Sequence, residues 1–124
     1  MDEIELHDSE LIRVDLGEGT LLINAYVHRS GADIRGEGGY QHVLFRFQNL
    51  QSNSRNQIFF GDIYAGSLHA ANLNPDDLIP LPLKINGPVK LAVTLRDDGR
   101  EATFLGDGLA IEQAGPYRFV EWQY

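Results

Sequence analysis

The chain has 124 residues, enough for one domain that buries most of the surface its unfolded form exposes. It has no cysteine, which excludes a disulfide framework, a thiol nucleophile and thiolate metal ligation, and favours a reducing compartment. A net charge of −8 argues against a nucleic-acid surface, which relies on clustered Lys and Arg, and no stretch approaches the roughly 20 apolar residues that cross a membrane as a helix, so neither nucleic acid nor membrane is an expected partner.

Most of that charge is local. Residues 1–18 carry Asp2, Glu3, Glu5, Asp8, Glu10, Asp15 and Glu18 against Arg13 alone, a balance of −6. The leading segment therefore reads as a solvated stretch whose residues 1–10 can fray, or as an acidic face aimed at a basic partner. Its Met1-Asp2-Glu3-Ile4-Glu5 start lacks the basic and apolar regions of a secretory signal, so a cytoplasmic protein is expected.

Alternation with a period of two then dominates. Leu11 to Leu16 puts Ile12, Val14 and Leu16 on one side, and Gly17-Glu18-Gly19 turns the chain. Thr20 to His28 follows, with Leu21, Ile23, Ala25 and Val27 inward and Leu22, Asn24, Tyr26 and His28 outward. Arg29 to Gly39 holds four glycines and reads as a loop. Tyr40 to Leu50 places Val43, Phe45 and Phe47 inward and His42, Leu44, Arg46 and Gln48 outward. A polar turn at 51–56 leads into Gln57 to Tyr64, whose Gly61 marks a bulge or a close approach.

Asn74-Pro75-Asp76-Asp77-Leu78 is the only helical signal, worth at most one turn. Ile79 to Leu83 is apolar, but Pro80 and Pro82 remove ladder donors and make it an edge segment. Asn86-Gly87-Pro88 reads as a turn. Beyond it, a two-residue Asp98-Gly99 turn predicts Arg96 opposite Glu101, Leu95 opposite Ala102, Val93 opposite Phe104 and Lys90 opposite Asp107. Past Phe104 the apolar phase moves from even to odd positions, so Gly106-Asp107-Gly108 is the expected bulge. Gly115-Pro116 turns into a last strand, Tyr117 to Tyr124. The expected architecture is one all-β domain over 1–124, an antiparallel β-sandwich of about eight short strands, with a barrel as the alternative.

From Leu78 onward, four motifs stand out: Ile79-Pro80-Leu81-Pro82-Leu83, Gly87-Pro88-Val89-Lys90-Leu91, Gly106-Asp107-Gly108-Leu109 and Gly115-Pro116-Tyr117-Arg118-Phe119-Val120-Glu121. Through them, residues 78–121 resemble a family of small uncharacterised bacterial all-β proteins. The resemblance implies a shared compact β domain and carries no functional residue with it.

Three constellations compete for function. If the strands flanking the glycine loop pair with His28 opposite His42, two imidazoles reach one metal ion, with Asp33 and Glu37 as further ligands. The same outer face offers Tyr26, His28, His42 and Arg46 as a polar ligand site. Ser67 and His69 share a side of their strand near Asp62, but no Gly-x-Ser-x-Gly elbow accompanies them, so no catalytic residue is assigned and an enzyme ranks last. The carboxylates at 76, 77, 97, 98 and 107 fall where turns and caps want Asp. The excess of aromatic residues, with Val120, Trp122 and Tyr124 on a terminal edge strand, points to self-association. The leading expectation is a non-enzymatic cytoplasmic protein-interaction module, a homodimer needing no cofactor. The alternative is a small-ligand or metal-binding domain around His28 and His42.

Overall fold

In the computed structural model, the structure describes residues 2–30, 36–53, 60–75 and 78–123. The strands among them are β1 (Asp2–Asp15), β2 (Thr20–Arg29), β3 (Gly36–Gln48), β4 (Gln51–Ser52), β5 (Gly61–Ala70), β6 (Ile79–Leu81), β7 (Leu83–Leu95), β8 (Glu101–Gln113) and β9 (Arg118–Gln123). No helix occurs among the described residues: Asn74 and Pro75 precede β6 in an irregular turn, and Asp76 and Asp77 lie outside the described residues.

Every ladder is antiparallel, and the order β8-β7-β5-β1-β2-β3 returns to β8 because β3 pairs with β8 as well. The sheet therefore closes into a six-stranded barrel, with β4, β6 and β9 added at its margins. This replaces the expected sandwich. The strands are longer than the turn signals suggested, 14 residues in β1 and 13 in each of β3, β7 and β8, and bulges bend them enough to serve successive neighbours. One interior results, filled by Leu21, Ile23, Ala25 and Val27 of β2 and Val43, Phe45 and Phe47 of β3, as the alternation predicts. From the opposite wall come Leu91, Val93, Leu95, Ala102 and Phe104. Each large side chain so buried stabilises the fold by about 1.5–3 kcal/mol.

Strand β1 departs from a simple alternation. Glu5 pairs with Tyr26 and Glu10 with Asn24, so Leu6 to Ser9 oppose Ala25 alone. Buried Ser9 closes this wide bulge: its Oγ donates to the Glu5 carbonyl at 2.7 Å and accepts the Tyr26 amide at 2.9 Å. A second irregularity between Leu11 and Arg13 points Leu11 inward and leaves Ile12 and Leu16 exposed, which splits the expected Ile12, Val14, Leu16 face. Residues 2–10 belong to this strand, with Ile4 and Leu6 in the core.

The second neighbour of β1 changes along its length. Asp2 to Ile4 pair with β6, Glu10 and Leu11 pair with Asp62 and Gly61 of β5, and residues 5–9 have no ladder partner on that side. The barrel wall is thus thin along one line, here called the seam.

The β7–β8 hairpin keeps its predicted faces but not its predicted pairs. Thr94 opposes Glu101, Val93 opposes Ala102 and Leu91 opposes Phe104, a slip of two residues that leaves the apolar face intact. Its loop is longer because Gly99, at φ 68°, ends a turn in which its amide donates to the Leu95 carbonyl. Asp98 accepts the Arg100 amide at 3.0 Å and its guanidinium as well. Arg96 does not meet Glu101; its amide donates to the Asp62 carbonyl and its guanidinium to that of His7. The Gly87-Pro88 pair is a bulge within continuous β7 rather than a turn, and it faces the Gly106 to Gly108 stretch where the burial phase changes.

The Arg100 amide, outweighing a small cost of burial, holds the Asp98 carboxyl below its ordinary value. A depressed folded-state value means this turn's contribution is complete above the unfolded value and fades as pH falls through the folded one. Urea midpoints measured from pH 6 down to pH 2 should fall less steeply in Asp98→Asn than in the wild type.

Candidate functional site

The outer face of β2 and β3 follows from register. Tyr26 pairs with Tyr40, Asn24 with His42, Leu22 with Leu44 and Thr20 with Arg46. His28 consequently opposes Gly38, four positions from the partner of His42 and about 13 Å further along the sheet at 3.3 Å per residue. The expected His28–His42 metal pair is not assembled. The physical reason is that β3 begins at Gly36, inside what composition marked as loop, which lengthens the ladder. Glu37 is part of that ladder and lies 4.0 Å from Arg29, while Asp33 lies outside the described residues. Among the described residues no three His, Cys, Asp or Glu side chains converge as a metal site.

The four predicted ligand residues divide between two places. Tyr26 and His28 stand together, their rings edge-on at 5.1 Å, and Tyr40 joins them at 5.3 Å from Tyr26. His28 Nε2 lies 3.0 Å from Glu5 Oε1. Burial, then the negative charges of Asp8 and Asp62, pushes the Tyr40 hydroxyl above its ordinary value. At the other end Arg46 forms an exposed ion pair with Glu112 at 3.0 Å, and His42 packs its Cβ near Gly115.

Strand β9 completes this face. It pairs with Gly36 to Tyr40 of β3, while β8 takes Val43 to Gln48 on the same edge. Gly39 permits the approach: a Cβ there would stand 2.2 Å from the Arg118 carbonyl oxygen. The Tyr26 hydroxyl donates to Glu121 Oε1 at 2.6 Å and pins the strand from the outer side. On the other side the Arg29 guanidinium lies 4.4 Å from the centre of the Tyr117 ring. Tyr117 is raised above its ordinary value by burial and by the charge of Glu37, with Arg29 opposing. An irregularity at Val120, where Gly38 pairs with Glu121 and Gly39 with Phe119, brings the Phe119 and Trp122 rings to 4.9 Å. Phe119, Val120 and Trp122 are each about half exposed. Val120 and Trp122, two of the residues expected at an interface, lie exposed on this edge strand; Tyr124 lies outside the described residues. Sequence reasoning missed Phe119 and Glu121 as participants, because an unbulged strand sends Phe119 and Trp122 to opposite faces.

A third feature lies on the seam. Ile4, Leu6, Leu68 and Ile79 floor a cavity of about 240 Å³ whose wall includes Glu5, His7 and Ser67. Ser67 Oγ lies 2.9 Å from His69 Nε2, and His7 Nδ1 contacts the Tyr64 carbonyl. Among the described residues no carboxylate is hydrogen-bonded to His69, so within them the hydroxyl–imidazole pair has no third group of a triad.

Comparison with models of known protein families, with curated proteins and with solved structures finds no match. No helix among the described residues is long and apolar enough to cross a membrane.

Proposed function

We propose that this chain is a non-enzymatic interaction module that associates with a second copy of itself by adding strand to strand at the outer edge of β9. The observation that carries the reading is a terminal strand paired on one side alone among the described residues, with three large apolar side chains about half exposed. Monomeric proteins blunt such edges with Lys, Pro or cover, because unpaired N–H and C=O groups recruit another strand. Two-fold pairing of β9 with its own copy runs antiparallel, so the Arg118 end of one strand meets the Glu121 end of the other. The resemblance of residues 78–121 to a bacterial family would extend this edge to relatives, and a cytoplasmic setting is part of the same proposal.

Light scattering at micromolar concentration is expected to return twice the 13.9 kDa chain mass. Val120→Lys, exposed and outside the core, should return the single mass with an unchanged melting transition. A wild-type chain that scatters as a monomer overturns the reading. The alternative, a small-ligand or metal site around His28 and His42, has weaker support. The two histidines are apart, and the nearest side chains on that face are already engaged, Tyr26 with Glu121 and Arg46 with Glu112.

A further inference from the structure

One peptide bond in β7 differs chemically from every other in the chain. Asn86 is the single asparagine followed by glycine; all the others precede a residue with a side chain. The peptide nitrogen of the following residue can attack an asparagine carboxamide, and a Cβ on that residue obstructs the approach. Glycine has none.

The fold leaves this pair accessible. Asn86 is exposed, and the ladder between β7 and β8 skips from Asn86 opposite Gly108 to Val89 opposite Gly106, so Gly87 and Pro88 have no opposite residue. On its other side β7 meets β5 only from Val89 onward. Gly87 stands at φ 132°, and a Cβ built on it meets no atom within 4 Å, so there is room for the peptide between Asn86 and Gly87 to turn. Extended backbone must make that turn before the nitrogen reaches Asn86 Cγ, and a bulge with no ladder partner is where a strand opens at least cost. Two other asparagines show the contrast. Asn49 precedes Leu50 and its side-chain amide donates to Asp107 at 2.8 Å, while Asn74 precedes Pro75, whose nitrogen has no proton to lose.

We infer that Asn86-Gly87 is a site of spontaneous deamidation, at which the folded chain converts to aspartyl and isoaspartyl forms. Hydroxide removes the Gly87 amide proton, the nitrogen bonds to Asn86 Cγ, and the side-chain nitrogen leaves as ammonia, closing a succinimide. Water then opens one of the two ring carbonyls. Cleavage at Cγ leaves aspartate; cleavage at the main-chain carbon leaves isoaspartate, with the chain running through the former side chain. Each product places a new carboxylate where β8 already carries Asp107.

The test holds the folded chain in mildly alkaline buffer over days and then digests it with trypsin at Lys84 and Lys90. Peptide 85–90 should gain about 1 Da before any other asparagine-containing peptide does, and enzymatic methylation of isoaspartyl carboxyls should label it. The rate should rise in proportion to hydroxide. Asn86→Gln should show no gain in this peptide, because its ring closure is six-membered and slow. It should keep the wild-type melting transition, because position 86 is exposed. A folded chain whose 85–90 peptide keeps its mass while the urea-unfolded chain converts, or in which another asparagine converts first, would overturn the site. A rate independent of pH, or a gain that persists in Asn86→Gln, would overturn the mechanism.

Discussion

Replacing Phe104 by Ala should cost about 3–5 kcal/mol of folding free energy, the usual loss for a fully enclosed phenylalanine. Phe104 is completely buried and is, with Phe45, among the largest side chains inside the barrel. Its partner across the ladder is Leu91, and Val93 and Ala102 extend the same apolar face. A closed barrel makes the loss severe, because strands bonded on both sides cannot collapse inward to fill a void. Against a total of about 5–15 kcal/mol for a domain of this kind, such a change removes at least about a fifth of the margin. The measurement is a urea transition at constant slope. Thr94→Ala on the opposite face of β7 should cost well under 1 kcal/mol. Equal losses from the two would show that the interior face of β7 and β8 has been assigned wrongly.

The second large effect is expected at Gly39. Any side chain there meets the Arg118 carbonyl oxygen at 2.2 Å and the Tyr117 ring at 2.7 Å, and a peptide oxygen held in a ladder cannot yield as a side-chain tip can. Gly39→Ala should therefore exceed the roughly 1–3 kcal/mol of ordinary overpacking locally and release β9 from β3. Hydrogen exchange should show lost protection at residues 118–122 with β1, β2 and β7 unchanged. Gly17→Ala is the control, since the nearest atom its Cβ would meet is the Asp15 Oδ1 at 3.5 Å, an ordinary van der Waals distance. If Gly39→Ala retains protection at 118–122, the close approach of β9 is not what holds this edge.

These two residues also mark where the sequence could be read and where it could not. The inward face of β2, Leu21 to Val27, and that of β3, Val43 to Phe47, are local properties of alternation and need no partner to be seen. Pairing is different. A slip of two residues in β7 and β8 changes every partner while preserving both faces, so the Asp98 turn fixed which side of the hairpin is buried and left its register open. The same ambiguity misplaced His28 against His42. In β1 the Leu6 to Ser9 bulge depends on a Ser9 hydroxyl meeting the Tyr26 amide, a contact across 17 residues that no local pattern announces. Closure rests on β3 with β8, and the seam cavity arises where a ladder is missing; neither leaves a periodic trace.

The split edge of β3 has a consequence for the nascent chain. While the polypeptide is being made, β1, β2 and β3 can form a meander from local contacts once Gln48 has emerged. The strands that cover the far side of β3 are Gly108 to Gln113 and Arg118 to Gln123, some sixty residues later. Loops of that span close slowly, and an open edge pairs with whatever strand it meets first. The interval between ribosomal exit of Gln48 and of Gln113 is thus the period in which this protein depends most on dilution or on a holding chaperone.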